Sequence, residues 1–183
     1  MKVNLAAYNN NWYKPGHIVK RVLWYWINII FFKSSVFPIY FLKVFLLKLF
    51  GAKVGTNVKI KPNVNIKYPW FLSIQHNVWI GENVWIDNLA QVSISSNVCI
   101  SQGVVFICGN HNYSKPTFDL IVQPIQINEG VWLGAKTVVF GGAICASHTV
   151  FVAGSFVMGT TLPYKIYKGN PATHFKDRII EAG

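Results

Sequence analysis

One period constrains this chain more than any other feature. From Val54 onward an apolar side chain returns every six residues: Val54, Ile60 and Ile66, then Ile74, Ile80 and Ile86, then Ile94, Ile100 and Phe106. After an interruption the series resumes with Ile127, Leu133, Val139, Cys145, Phe151 and Val157. Four residues after most marks stands a small or β-branched side chain, as at Val58, Val64, Val78, Ala90, Thr137, Ala143 and Ser155. An α-helix cannot use a period of six, and a lone hairpin alternates by two. A hexapeptide repeat, here about fourteen times over, fits a parallel β-helix in which short strands and turns stack coil upon coil.

The slips in the period are informative. Marks at Val54, Ile74 and Ile94 stand three hexads plus two residues apart. Three hexads make one triangular coil, so the extra pair is expected to bulge one corner, near Tyr68-Pro69-Trp70 and again near Val92-Ser93. Residues 112–126 break the period outright and are expected to form an extended loop. The expected organisation is an N-terminal apolar and basic helical segment over 1–53, a β-helix domain over 54–160, and a short helical tail over 161–183.

His111, in the stretch CGNHNYSKP, sits at the root of that loop. It occupies the sixth place of its hexad, where Trp79, Trp85, Cys99 and Trp132 stand elsewhere. If the first and fifth places point inward, the sixth lies on the outer surface, where an imidazole is free for acid–base chemistry near neutral pH. Asp87 and Asn88 lie on the preceding coil and, with Asn110, are candidates to face an acceptor. Corner-turn chemistry is the alternative for Asp87 and Asn88. A metal site would need converging imidazoles. His76, His111 and His148 fall at the third, sixth and fourth hexad places, so no metal is expected.

Charge is concentrated at one end. The net charge is +11, yet residues 1–67 hold eleven Lys or Arg and the first acidic residue is Glu82. A basic field beside aromatic-rich apolar sequence points to an anionic membrane surface rather than to nucleic acid. Residues 17–50 read as two helices, with Ser34 or Ser35 as cap of the second, Pro38 in its first turn and Gly51 at its end. Neither apolar run is long enough to span a bilayer. The helices are expected to cap the β-helix and also to touch the membrane interface. No cleavable leader is read in residues 1–16. Three cysteines without metal-type spacing fit buried thiols in a reducing compartment. The expected location is therefore cytoplasmic, peripheral on the cytoplasmic face of the membrane.

The hexads VWIGENVWID and VWLGAKTVV resemble those of the left-handed β-helix acyltransferases. The ending AGSFV…LPYKIYKGNPA is similar to that of galactoside and maltose O-acetyltransferases. NNWYKPG, LKLFGAKVG and IKYPW resemble the colanic-acid-type exopolysaccharide O-acetyltransferases, and the likeness covers nearly the whole chain. The resemblance implies an all-β, left-handed parallel β-helix and a homotrimer with active sites between subunits. It implies an acetyl-coenzyme A co-substrate and a saccharide acceptor, free or lipid-linked. His111 would be the general base and the Ala135 N–H the oxyanion donor. Trp132, Gly134, Ala135 and Ala153 would line the pantetheine arm. Relatives often carry a lysine after the AGS turn for the coenzyme phosphates. Here Val157-Met158-Gly159 follows, leaving Lys165 and Lys168 as the candidates, with Lys176 and Arg178 nearby. Three rivals stay open: a non-catalytic sugar-binding or structural solenoid, another acyl donor, or an amine acceptor.

Overall fold

A computed structural model describes residues 2–36 and 38–181; Met1, Phe37, Ala182 and Gly183 lie outside the described residues. The period becomes a left-handed triangular β-helix whose three faces are parallel sheets. The first face stacks Lys53–Val54, Leu72–Ile74, Val92–Ile94, Ile125–Ile127 and Ile144–Cys145. The second begins Lys59–Ile60, Trp79–Ile80, Cys99–Ile100, Trp132–Leu133 and Val150–Phe151. The third holds Asn65–Ile66, Trp85–Asp87, Val105–Ile107, Val138–Phe140 and Phe156–Val157. The six-residue marks point into the prism, and all but Val54 are buried. The sixth place points outward, leaving Trp79, Trp85 and Trp132 exposed.

The corners explain the asparagines. Between the first and second faces, Asn57, Asn77, Asn97, Gly130 and His148 all take φ between 55° and 68°. Asparagine tolerates this left-handed region better than most side chains. Here the amides also form a ladder, Asn57 to Asn77 at 2.9 Å, Asn77 to Asn97 at 3.2 Å, and Asn97 to Glu129 at 3.0 Å. His148 is thereby a turn residue at the same corner.

The third corner, between the third and first faces, carries the irregularities. The first insertion forms a 3₁₀ turn at Pro69–Phe71, as expected. The second lies at Asn88–Gln91 and not at Val92-Ser93, because Val92 is buried in the first face. The third is narrower than a loop over 112–126. Gly109–His111 pairs antiparallel with Leu120–Val122, and Ile125–Ile127 is already back in the first face. Backbone pairing favoured a hairpin, whose short strands the hexad period does not encode.

Two helices close the N-terminal end: α1, Ile18–Ile27, continued by a π-helical turn over Asn28–Phe32, and α2, Tyr40–Leu49. They seal edge strands that would otherwise offer unpaired backbone groups. Trp24 Nε1 donates to the Ile66 carbonyl at 2.7 Å, and Asn28 Nδ2 donates to Asn65 Oδ1 at 2.7 Å. Lys43, 1% exposed, donates to the Lys61 carbonyl at 2.9 Å. It therefore caps the first coil and adds nothing to a solvent-facing basic surface. Neither Ser34 nor Ser35 caps α2, whose N-cap is Ile39; Ser34 Oγ instead accepts from the Val36 N–H. Gly51 does end the helix, at φ +95°.

The tail is not helical. Lys165–Lys168 adds to the second face beside Val150–Phe151, and Thr173–Asp177 returns antiparallel to it. At this end a hairpin, and not a helix, takes up the strand edge of the last coil.

Candidate active site

His111 ends the first strand of the third-corner hairpin. Its Nδ1 lies 2.9 Å from the Phe118 carbonyl oxygen. A carbonyl only accepts, so Nδ1 carries the proton and Nε2 presents its lone pair outward. The Phe118 ring stacks on the imidazole, with centroids 4.4 Å apart and planes at 11°. Phe118 holds φ +51°, a strained conformation for a bulky residue, which aims its carbonyl at His111. The Asn110 side chain accepts from the His111 N–H at 2.8 Å. The imidazole is thus fixed in tautomer and plane.

An N-terminal strap climbs the same corner. Trp70 Nε1 donates to the Pro15 carbonyl at 3.0 Å, Tyr13 donates to the Leu89 carbonyl at 2.6 Å, and Tyr8 stands 5.7 Å from the His111 ring. The Asn4 N–H then reaches the Pro116 carbonyl in the hairpin tip at 2.9 Å. Burial, with help from Asp87 and Tyr68, pushes the Tyr13 phenol well above its ordinary value, so it stays a donor.

Trp132, Gly134 and Ala135 belong to a different place, the second face and the corner leading to the third. Trp132 is exposed, and its Nε1 donates to Ser101 Oγ at 2.9 Å. Gly134 is dictated by stacking: a Cβ there would meet the Ala153 nitrogen and the Phe151 oxygen at 2.6 Å. Ala135 and Ala153 follow one another down this corner, where the Gly154 N–H bonds the Ala135 carbonyl. Among the described residues the Ala135 N–H has no acceptor. A flat indole beside free backbone donors fits an extended amide-bearing arm. One chain does not bring this corner to His111, since the two occupy different corners of the prism.

The remaining candidates separate cleanly. Asn88 leaves the acceptor set: it is fully buried, with Oδ1 accepting from the Tyr68 N–H at 3.0 Å and Nδ2 donating to the Tyr68 carbonyl at 2.6 Å. It bolts two corner insertions together. Asp87 is half-buried on the third face, 2.8 Å from Lys67 Nζ. Asn110 is exposed beside His111. Lys165 is engaged by Asp177 at 2.7 Å, and Lys168 lies over the Phe175 ring at 3.6 Å. The nearby carboxylate reduces the charge Lys165 can offer a phosphate. Cys108 and Cys145 are buried, and burial pushes the Cys108 thiol up to about 11, so it is no nucleophile. No group of three His, Cys, Asp or Glu converges among the described residues.

Sequence reasoning missed Tyr8, Tyr13 and Phe118. The strap has no periodicity, and Phe118 acts through a backbone carbonyl, which any residue supplies. The one available signal was aromatic density in a polar opening, at Tyr8, Trp12 and Tyr13.

No family model matches the sequence. WcaF of Escherichia coli (strain K12), assigned as an acetyltransferase of colanic acid biosynthesis, is 33% identical over 167 residues, covering 91% of this chain and 92% of its own. A hexapeptide-repeat acetyltransferase of Vibrio cholerae O1 biovar eltor, solved with acetyl coenzyme A, superposes with a TM-score of 0.78 at 18% identity, covering 88% of each chain. A galactoside acetyltransferase solved with coenzyme A gives a TM-score of 0.77 at 25% identity, over 87% of this chain and 80% of its own.

Proposed function

This chain belongs to the hexapeptide-repeat acetyltransferases, and from that premise we propose that it acetylates a saccharide hydroxyl with His111 as general base. It is an acyltransferase using acetyl coenzyme A. The fixed imidazole carries the finer reading: Nδ1 bonded to the Phe118 carbonyl leaves Nε2 able only to accept a proton. Nε2 takes the acceptor hydroxyl proton as that oxygen attacks the thioester carbon. The Ala135 N–H donates to the thioester oxygen as negative charge gathers there. His111 then returns the proton to the departing coenzyme thiolate. Direct transfer asks nothing of the cysteines.

Because His111 and Ala135 occupy different corners, the reaction needs the Ala135 corner of one subunit beside the His111 corner of another. That supports a homotrimer with three shared sites. The exposed tryptophans of the second and third faces supply apolar surface for such a contact. A saccharide acceptor is supported by the colanic acid and galactoside assignments of the relatives.

We also infer a peripheral contact with anionic membrane. Val22, Tyr25, Trp26 and Ile30 of the first helical segment are exposed, as are Phe41, Phe45 and Leu49 of α2. No helix among the described residues is long and apolar enough to cross a membrane. The test of the activity is thiol release from acetyl coenzyme A against a panel of free and lipid-linked saccharides. Acceptor-dependent release that requires His111 supports the reading; a panel that gives none counts against a saccharide acceptor.

A further inference from the structure

The third corner is interrupted three times, and each interruption holds the N-terminal strap. Trp70, in the first, donates from Nε1 to the Pro15 carbonyl at 3.0 Å. Leu89, in the second, offers its carbonyl to the Tyr13 hydroxyl at 2.6 Å. The hairpin, the third, accepts the Asn4 N–H at the Pro116 carbonyl, 2.9 Å away, and meets the Tyr8 ring at His111. The insertions are also joined to one another. Asn88 binds both backbone groups of Tyr68. The Leu89 side chain fills the space over Gly109, at the root of the His111 strand, where a Cβ would stand 2.5 Å from Leu89 Cδ1.

The local structure of the strap is built around Tyr8. Asn4 Oδ1 accepts from the Ala6 N–H at 3.2 Å and starts a 3₁₀ turn over Leu5–Ala7. The turn closes where the Tyr8 N–H reaches the Leu5 carbonyl at 3.1 Å. No residue of the turn is buried, so apolar burial does not account for its place. Tyr8 itself is half-buried, its ring tilted by 57° at 5.7 Å from the imidazole. His111 thus has two aromatic neighbours, the other being Phe118 at 4.4 Å.

Beside a neutral imidazole the second ring adds packing alone. A protonated imidazole is a cation, and an aromatic ring within about 6 Å attracts it. During transfer His111 holds the proton from the attack of the acceptor oxygen until the coenzyme thiolate takes it. A ring that favours the imidazolium over the imidazole therefore lowers the barrier and leaves coenzyme binding alone. We infer that Tyr8 is a positioning residue of the transfer site: the strap, seated on the three corner insertions, holds its ring against His111, where it favours the protonated imidazole. This rests on His111 as the transfer base.

The full chain and its Tyr8→Leu, Tyr8→Phe and His111→Ala variants are compared by thermal melt and by thiol release on an acceptor the parent uses. Tyr8→Leu is expected to lower kcat by about three- to thirtyfold while the KM for acetyl coenzyme A stays within about twofold. Tyr8→Phe, which keeps a ring, recovers to within about threefold of the parent. A role in packing alone would move the melt and spare kcat. Adding Tyr8→Leu to His111→Ala is expected to change the residual rate by less than about twofold, since no imidazolium forms there. Asn4→Pro removes the N–H that reaches Pro116 and Asn4→Ala keeps it, so the proline variant is expected to be the slower. Tyr8→Leu at the parental kcat, Tyr8→Phe as slow as Tyr8→Leu, or the full Tyr8→Leu loss repeated on top of His111→Ala overturns the proposal. Equal rates in the two Asn4 variants overturn the part played by the strap. His111→Ala at the parental kcat would instead sink the base assignment.

Discussion

His111 and Phe118 form one unit: the imidazole Nδ1 bonds the Phe118 carbonyl at 2.9 Å while the two rings stack at 4.4 Å. The residue that fixes the tautomer also fixes the plane, and it pays with a left-handed backbone, φ +51°.

Phe118→Gly separates these contributions. Glycine accepts the φ, and that relief offsets the lost stack and the added chain freedom, so stability is expected to stay within about 1 kcal/mol of the parent. The lost ring stack, worth about 0.5–1.5 kcal/mol, lowers kcat by roughly two- to tenfold. Thermal melts and saturation kinetics on the purified variant measure both. A fall in Tm with kcat unchanged would mean the ring serves packing alone.

Lys43 makes a signed prediction about pH. Burial lowers its folded pKa below the unfolded 10.5, so between those values the unfolded chain binds more protons. Stability tied to Lys43 therefore rises as pH climbs through that window. Lys43→Met lacks the dependence and leaves the Ile60 and Lys61 carbonyls without their donor, at about 1–3 kcal/mol. The Tm gap between parent and Lys43→Met should widen from neutral pH toward 10.5. A constant gap means that Lys43 titrates alike in both states.

Much of this was legible in the sequence, for a physical reason. The period of six records which side chains the prism swallows, and nearly every mark is buried. The outward tryptophans followed from the same rule; His111 did not, since it stands in the hairpin and not on a face of the prism. Asn88 did not: an asparagine at a corner reads the same whether its amide faces solvent or, as here, ties Tyr68 on both sides. The tail misled because an open β-helix end can be closed by a helix or by strands, and local composition does not choose. Lys43 counts as a surface charge until the coil carbonyls beneath it are seen.

Assembly is open to direct measurement. Light scattering at micromolar concentration should return about three times the chain mass of 20.7 kDa. A monomer that retains full transfer would contradict a site divided between the His111 corner and the Ala135 corner.

Membrane contact should have two components. Each basic side chain near an anionic leaflet contributes on the order of 1 kcal/mol at most, screened by salt, while inserted Trp26 and Phe41 are insensitive to salt. Flotation with anionic vesicles should exceed that with neutral ones, fall partly at high salt, and weaken further in Trp26→Ser/Phe41→Ser. Equal indifference to both vesicle types at low salt would leave α1 and α2 as an end cap.

The central claim is that His111 removes the acceptor proton, and one comparison tests it. Parent and His111→Ala are assayed for thiol release from acetyl coenzyme A on an acceptor the parent uses, with coenzyme A affinity measured in parallel. The account predicts a fall in kcat of about 10²- to 10⁴-fold with coenzyme affinity unchanged. Turnover within about twofold of the parent would contradict it.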